Sequence, residues 1–291
     1  MAILVFDIGG TAVKYGLYQA GALQWTHSFP TPSTWEKMKA DLYSIYQEYS
    51  QEEIKGIALS SPGSVDVDQG VIHGISAVPY IHEFPIVEEL EALFALPVTI
   101  ENDANCAALA ELAFGVARQA QNVLFFVIGS GIGGAVVINR TLHKGRNLFG
   151  GEFGYMMMGD HRTLSQSASP VHVAKDFSKQ ENLSPALTGK ELFERAEGGD
   201  QQAQQALEGL YDALARGIFN ASLVLNPDLV VLGGGISRRS DLVTRVQEKI
   251  SILKEETEAR ELEVNLQVCQ YFNDANLLGA VAHFQQKIGD K

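Results

Sequence analysis

The chain has 291 residues, 46% of them hydrophobic and 20% charged, enough to bury a sizeable core in one large or two smaller domains. Its 35 acidic and 22 basic residues give a formal charge of −13, which disfavours nucleic-acid backbones and anionic membrane surfaces as partners. The two cysteines, Cys106 and Cys269, lie in unrelated contexts without a CxxC pair, so neither a disulfide framework nor a cysteine zinc site is supported. No apolar run is long enough to span a bilayer, and the opening residues lack a basic n-region and cleavage site, so the expected location is the cytoplasm.

Two strands are predicted over 2–8 and 13–18, joined by a turn containing Gly9, Gly10 and Thr11. A helix follows over 33–50, with Ser33 and Glu36 as a capping box and Trp35, Met38, Leu42, Ile45 and Tyr49 at helical spacing. A strand from 54 breaks at Ser60-Ser61-Pro62-Gly63, and 85–96 is helical. Residues 97–115 read as a short strand, a polar corner and a helix of small residues ending at Gly115. The opening theme then restarts: "NVLFFVIGSGIGGAVVIN" (122–139) is an apolar strand, a glycine turn and another apolar strand. A loop-rich stretch, 143–170, precedes helices at 188–198, with Thr188 and Glu191 as a capping box, and at 204–226. "DLVVLGGGIS" (228–237) is a strand running into three glycines, followed by a helix over 241–256, a strand over 262–268 and a last helix from about 273 to 287. The restart places a domain boundary near 115–122.

Glycine clusters thus follow three strands, at 9–10, 129–134 and 233–235. "GSGIGG" has neither the spacing of the dinucleotide fingerprint nor the helix that must follow it, since Ala135–Ile138 continues as strand. No Gly-Lys-Ser/Thr follows the turn either, which excludes a Walker loop. A glycine-rich hairpin can still bind phosphate by bringing several backbone N–H groups to one point with no Cβ in the way. Asp7 and Thr11 add an acid suited to Mg²⁺ and a hydroxyl donor. Gly233-Gly234-Gly235 reads equally as a tight strand-to-helix turn or as a surface open to a flat nucleoside.

"FDIGGTAVKYGL", "SSPGSVD", "ENDANCAALAE", "IGSGIGGAVV", "GGEFG", "VVLGGGIS" and "NDANLLGA", in that order, resemble the ROK family of sugar kinases and sugar-responsive repressors, over residues 3 to about 284. The resemblance implies an α/β fold of the hexokinase and actin superfamily: two related actin-like (ribonuclease H-like) domains around a central cleft. The first would span 1–118, joined by the C-terminal helix 273–291, and the second 119–272. It implies ATP as co-substrate, Mg²⁺ held by Asp7 directly or through water, and a homodimer. Asp7, Gly9, Gly10, Thr11, Lys14, Gly129, Ser130, Gly131, Gly133, Gly134, Gly233, Gly234 and Gly235 would form the nucleotide and phosphate site. Gly63, Asn102, Asp103, Glu152 and Tyr155 would bind the sugar, with Asp103 as catalytic base. The corner at Asn102-Asp103 also has a plain reading as a helix N-cap, which both residue types favour, and the two readings are compatible.

The chain departs from the resemblance in one place. Most ROK members have a zinc-binding histidine after the "GE.G" motif and a Cys-rich segment beyond it. Here Tyr155 holds the histidine position and the Cys-rich segment is missing; His161 and His172 alone make a poor structural zinc site, so no zinc is expected. Met156, Met157 and Met158 read as packing residues. In glucose-specific members that histidine and a later glutamate contact the sugar near O1 and O2; alignment across the gap places Ser165 at the glutamate position. Removing both charged ligands leaves room for a substituent at O1. The expected activity is therefore transfer of the γ-phosphate of ATP to the 6-hydroxyl of a hexose unit in a β-glucoside such as cellobiose. A glucokinase or N-acetylmannosamine kinase is the alternative, and a non-catalytic sugar-sensing regulator the alternative of another class. The regulator is disfavoured because the first phosphate motif begins by residue 7, leaving no room for a preceding DNA-binding domain.

Overall fold

A computed structural model describes residues 2–159 and 161–289. They fall into two compact units, Met1–Gly115 with Asn273–Lys291, and Val116–Phe272.

The first unit begins with β1 (Ala2–Ile8), β2 (Ala12–Gln19) and β3 (Ala22–Pro30), followed by α1 (Trp35–Glu48), β4 (Ile54–Ser61), β5 (Ser64–Asp66) and β6 (Val71–His73). Then come α2 (Ile86–Phe94), β7 (Val98–Asn102) and α3 (Asp103–Ala113). The main sheet has the order β3-β2-β1-β4-β7; β1 is antiparallel to β2 and parallel to β4, and β4 is parallel to β7. Every residue of β1 is buried, which explains its unbroken apolar run before Asp7. The register sets Lys14 opposite Asp7, Asp7 beside Ser60, and Ser60 beside Glu101, a polar row near the ends of the parallel strands.

The second unit repeats that plan. It contains β8 (Val123–Ile128), β9 (Ile132–Ile138), β10 (Thr141–Leu142), α4 (Leu164–Ala168), α5 (Pro170–Gln180), α6 (Gly189–Glu197), α7 (Gln201–Leu225), β11 (Leu229–Gly233), α8 (Leu242–Glu256) and β12 (Leu266–Val268). Its sheet order is β10-β9-β8-β11-β12, with β8 antiparallel to β9 and parallel to β11. Helices α4 to α8 bury Leu164, Phe177, Leu192, Leu210, Ile218 and Val246 in one apolar cluster with Leu124, Phe126 and Val230 of the sheet.

The last helix, α9 (Ala275–Gly289), closes the first unit against α3. The approach is close because both helices are rich in small residues: a Cβ on Gly279 would lie 1.7 Å from the Cys106 carbonyl oxygen. This packing puts the first turn of α9 beside the end of β1.

Local details differ from the sequence reading. Thr34, not Ser33, caps α1: its backbone is extended and its hydroxyl accepts from the Lys37 N–H. The edge strand β3 was not anticipated, because it is largely exposed and shows no apolar alternation. The strand expected over 262–268 shrinks to β12, whose ladder on β11 reaches only Val230–Leu232. Helix α7 starts three residues before the expected 204, capped by Asp200, which accepts from the Gln202 and Ala203 N–H groups.

Candidate active site

In the first unit the buried carboxylate of Asp7 is held from two directions. Its Oδ1 accepts from the Ser60 hydroxyl at 2.8 Å and from the Asn276 amide of α9 at 3.1 Å. Burial raises its pKa above the ordinary carboxylate value, and Ser60, Asn276 and Lys14 partly offset that. The neighbouring glycine turn is pinned by its own backbone. The Gly9 N–H donates to the Ala12 carbonyl, and the Thr31 hydroxyl donates to the Gly9 carbonyl at 2.5 Å. Gly10 and Thr11 stay exposed. The Lys14 ammonium donates to the Asn273 carbonyl at 3.4 Å.

At the end of β7, Asn102 is the N-cap of α3. Its Oδ1 accepts from the Ala104 and Asn105 N–H groups at 2.9 and 3.1 Å, and its amide donates to the Gly63 carbonyl at 3.0 Å. The buried Glu101 braces the same corner, accepting from the Asn102 N–H at 2.7 Å and the Asn105 amide at 3.0 Å. Asp103 is the first residue of α3 and accepts from the Ala104 N–H at 2.8 Å. The capping role at this corner thus falls to Asn102 and leaves Asp103 outside the cap. The Asp103 carboxylate sits half-buried in the first turn of α3.

The second unit holds its glycine turn with two serines. The Ser165 hydroxyl accepts from the Ile132 N–H at 2.9 Å, and the fully buried Ser169 donates its hydroxyl toward the Gly129 and Ser130 carbonyls at 2.7 and 3.0 Å. Ser165, expected at the position of a sugar-contacting glutamate, has its oxygen engaged by the turn. Gly133 and Gly134 open β9 and remain partly exposed. A 3₁₀ turn, Phe153–Tyr155, follows Glu152; Phe153 stacks on Phe126 with centroids 4.2 Å apart and planes 16° from parallel. Glu152 is half-buried, which pushes its carboxyl pKa up, and Tyr155 is 69% exposed. At the end of β11, Gly234 has φ +85°, and a Cβ there would lie 2.2 Å from the Ile128 carbonyl oxygen. No residue but glycine fits that turn. Gly235 faces open space.

A family model described as the ROK family matches residues 3–287. The chain belongs to the ROK family. It is 31% identical to a β-glucoside kinase of Klebsiella pneumoniae, covering 98% of this chain and 97% of that protein. A β-glucoside kinase of Listeria monocytogenes is 32% identical, with 99% and 98% covered. Among solved structures, a ROK family protein from Streptococcus pneumoniae in complex with sucrose superposes with a TM-score of 0.91 at 35% identity over 100% of both chains. The fold is that of the ROK sugar kinases, an α/β fold of the actin-like superfamily.

The expected residues of this ROK chain divide between the two units. The first unit brings together Asp7, Gly9, Gly10, Thr11 and Lys14 at one turn, and Gly63, Asn102 and Asp103 at one corner. The second carries the turn from Gly129 to Gly134, the Glu152–Tyr155 segment, and Gly233-Gly234-Gly235. Ser60, Glu101, Asn276 and Ser169, which brace these residues, were not anticipated. The first three act through strand register or helix docking and their only signal was their place inside the quoted motifs; Ser169 lies outside those motifs and gave none. Among the described residues no three His, Cys, Asp or Glu side chains are grouped to hold a metal. Asp7 could supply a single hard oxygen ligand, a donor that fits Mg²⁺, which binds through one or two carboxylates and takes its other ligands from substrate phosphates and water. Cys106 is fully buried, and burial holds its thiol protonated.

Proposed function

We propose that this chain phosphorylates the 6-hydroxyl of the non-reducing glucose in a β-glucoside such as cellobiose. It is an ATP-dependent sugar kinase. The observation that carries the acceptor assignment is Tyr155, exposed and three residues beyond the half-buried Glu152. A tyrosine there cannot give a charge-assisted hydrogen bond to the anomeric side of a free sugar, an interaction worth about 1.5–3 kcal/mol. The O1 side then tolerates a glycosidic bond. The likeness to β-glucoside kinases over nearly the whole chain supports the same choice.

Asp103 orients the acceptor hydroxyl in line with the γ-phosphate and takes its proton late. Phosphoryl transfer runs through a loose transition state, so a weakly basic carboxylate is sufficient and positioning carries most of the rate. Asn102 keeps the Asp103 corner fixed through its cap and its bond to Gly63. Backbone N–H groups at a glycine turn suit phosphate oxygens in a chain of net charge −13, because they carry no formal charge of their own; the Gly9 and Gly129 N–H groups are already spent within their own turns. Asp7 would be among the ligands of a bound Mg²⁺, which would supply charge neutralisation at the phosphates.

The test is kcat/KM, by coupled ADP release with ATP and Mg²⁺, for cellobiose and an aryl β-glucoside against glucose and N-acetylmannosamine. The glycosides should be preferred. A free monosaccharide preferred by about tenfold, or ~1.4 kcal/mol, would reassign the chain as a glucokinase or N-acetylmannosamine kinase.

A further inference from the structure

Two aromatic rings of the second unit stand in water without a structural reason. Phe149 is 63% exposed and Tyr155 69%, yet their centroids lie 6.1 Å apart with planes tilted by 46°. The backbone between them explains the pairing. The Glu152 N–H donates to the Phe149 carbonyl at 3.1 Å, and the Tyr155 N–H donates to the Glu152 carbonyl at 3.2 Å. Two successive turns, the first passing through Gly151 at φ +96° and the second the 3₁₀ turn, fold the segment back so that the two rings meet. The opposite side is anchored by Phe153, buried and stacked on Phe126. The segment is therefore anchored on one side while the rings of Phe149 and Tyr155 remain uncovered. Exposed apolar surface of this kind marks a contact site when a polar anchor accompanies it. The anchor here is the half-buried carboxyl of Glu152, between the two rings in sequence.

We propose that Phe149 and Tyr155 form a platform for the second ring of the substrate, the aglycone or reducing-end sugar joined at O1, and that Phe149 is a specificity-determining residue for glycosides over free sugars. The inference rests on the β-glucoside reading and deepens it. A pyranose or aryl ring presents a flat, largely C–H face that can cover exposed aromatic carbon, while a free monosaccharide held at Glu152 has nothing at O1 to reach it. The patch belongs to the substrate rather than to a protein partner because it is two rings wide and shares its turn with the sugar-binding carboxyl.

The experiment has two arms. In the first, Phe149→Ala should lower the ratio of kcat/KM for cellobiose to that for glucose by about three- to tenfold, the scale of one aromatic contact, and Phe149→Trp should restore it. An unchanged ratio overturns the proposal. The second arm reads binding without turnover. In Phe149→Trp, 4-nitrophenyl β-glucoside should quench fluorescence beyond the quench in the wild type, and glucose should not. Equal quenching in the two proteins overturns the platform whichever sugar the wild type phosphorylates. A wild type that prefers glucose while the tryptophan still senses the glycoside would instead fault the substrate assignment alone.

Discussion

The two glycine turns occupy the same place in two sheets of the same order and sense, β3-β2-β1-β4-β7 and β10-β9-β8-β11-β12, yet they are held by different chemistry. The first turn follows a strand ending in Asp7, a buried acid gripped by a serine and an asparagine. The second follows Ile128 and has no acid; Ser165 and Ser169 grip its backbone instead. A repeated scaffold thus carries different groups in its two copies. One copy presents a buried acid beside its turn, and the other a backbone turn whose shape neighbouring hydroxyls keep. Small residues do the holding in both copies, because a hydroxyl or amide can fix a group while filling little space.

That division can be broken most severely at Asp103. Asp103→Asn keeps the shape and leaves the Asn102 cap untouched, so melting temperature should barely move while kcat falls by about 10² or more. A variant retaining more than a tenth of wild-type turnover would remove Asp103 from the role of base.

The second turn provides the contrast. Ser169→Ala leaves two carbonyls beside a buried methyl in place of a donor, a loss of about 1–3 kcal/mol. The account predicts a several-fold rise in KM for ATP with little change in KM for the sugar, read by steady-state kinetics. Equal rises in both constants would mean that the serine supports the fold generally rather than the phosphate turn.

The smallest effect concerns Asp7 and stability. Its folded-state pKa is raised by burial, so the folded chain holds that proton more tightly than the unfolded chain. The stability linked to the proton is present below the reference pKa of 3.8 and is lost as pH rises through the folded value. Asp7→Asn, whose Oδ1 can still accept from Ser60 and Asn276, should therefore raise the melting temperature near neutral pH and give no gain below 3.8. It should also weaken the stabilisation of the protein by Mg²⁺ with ADP. A melting temperature that gains equally at every pH would contradict the burial account.

Much of the fold was legible because its signals are local. The β8 run is apolar throughout and β1 is apolar but for Asp7, each ends at glycines, and the theme recurs at a distance that suggests a duplicated unit. The capping box of α6 is also local, and both halves form as Thr188 and Glu191 predict. The edge strand β3 was not legible, since nothing buries one of its faces regularly. At the site, the glycines and acids stood out by type, but their supports did not. Ser60 matters because parallel pairing sets it beside Asp7, and Asn276 because a helix nearly the whole chain away docks there. The capping residue at the Asp103 corner was ambiguous by one position, since Asn and Asp cap equally well and only backbone geometry chooses Asn102.

The most direct measurement is the position of the transferred phosphate. The wild-type chain, given ATP, Mg²⁺ and cellobiose, should yield a single product whose phosphorus–proton correlation spectrum couples the phosphate to the two C6 protons of the non-reducing glucose. Coupling to an anomeric or ring proton, or no product from cellobiose while free glucose is consumed, would contradict the account.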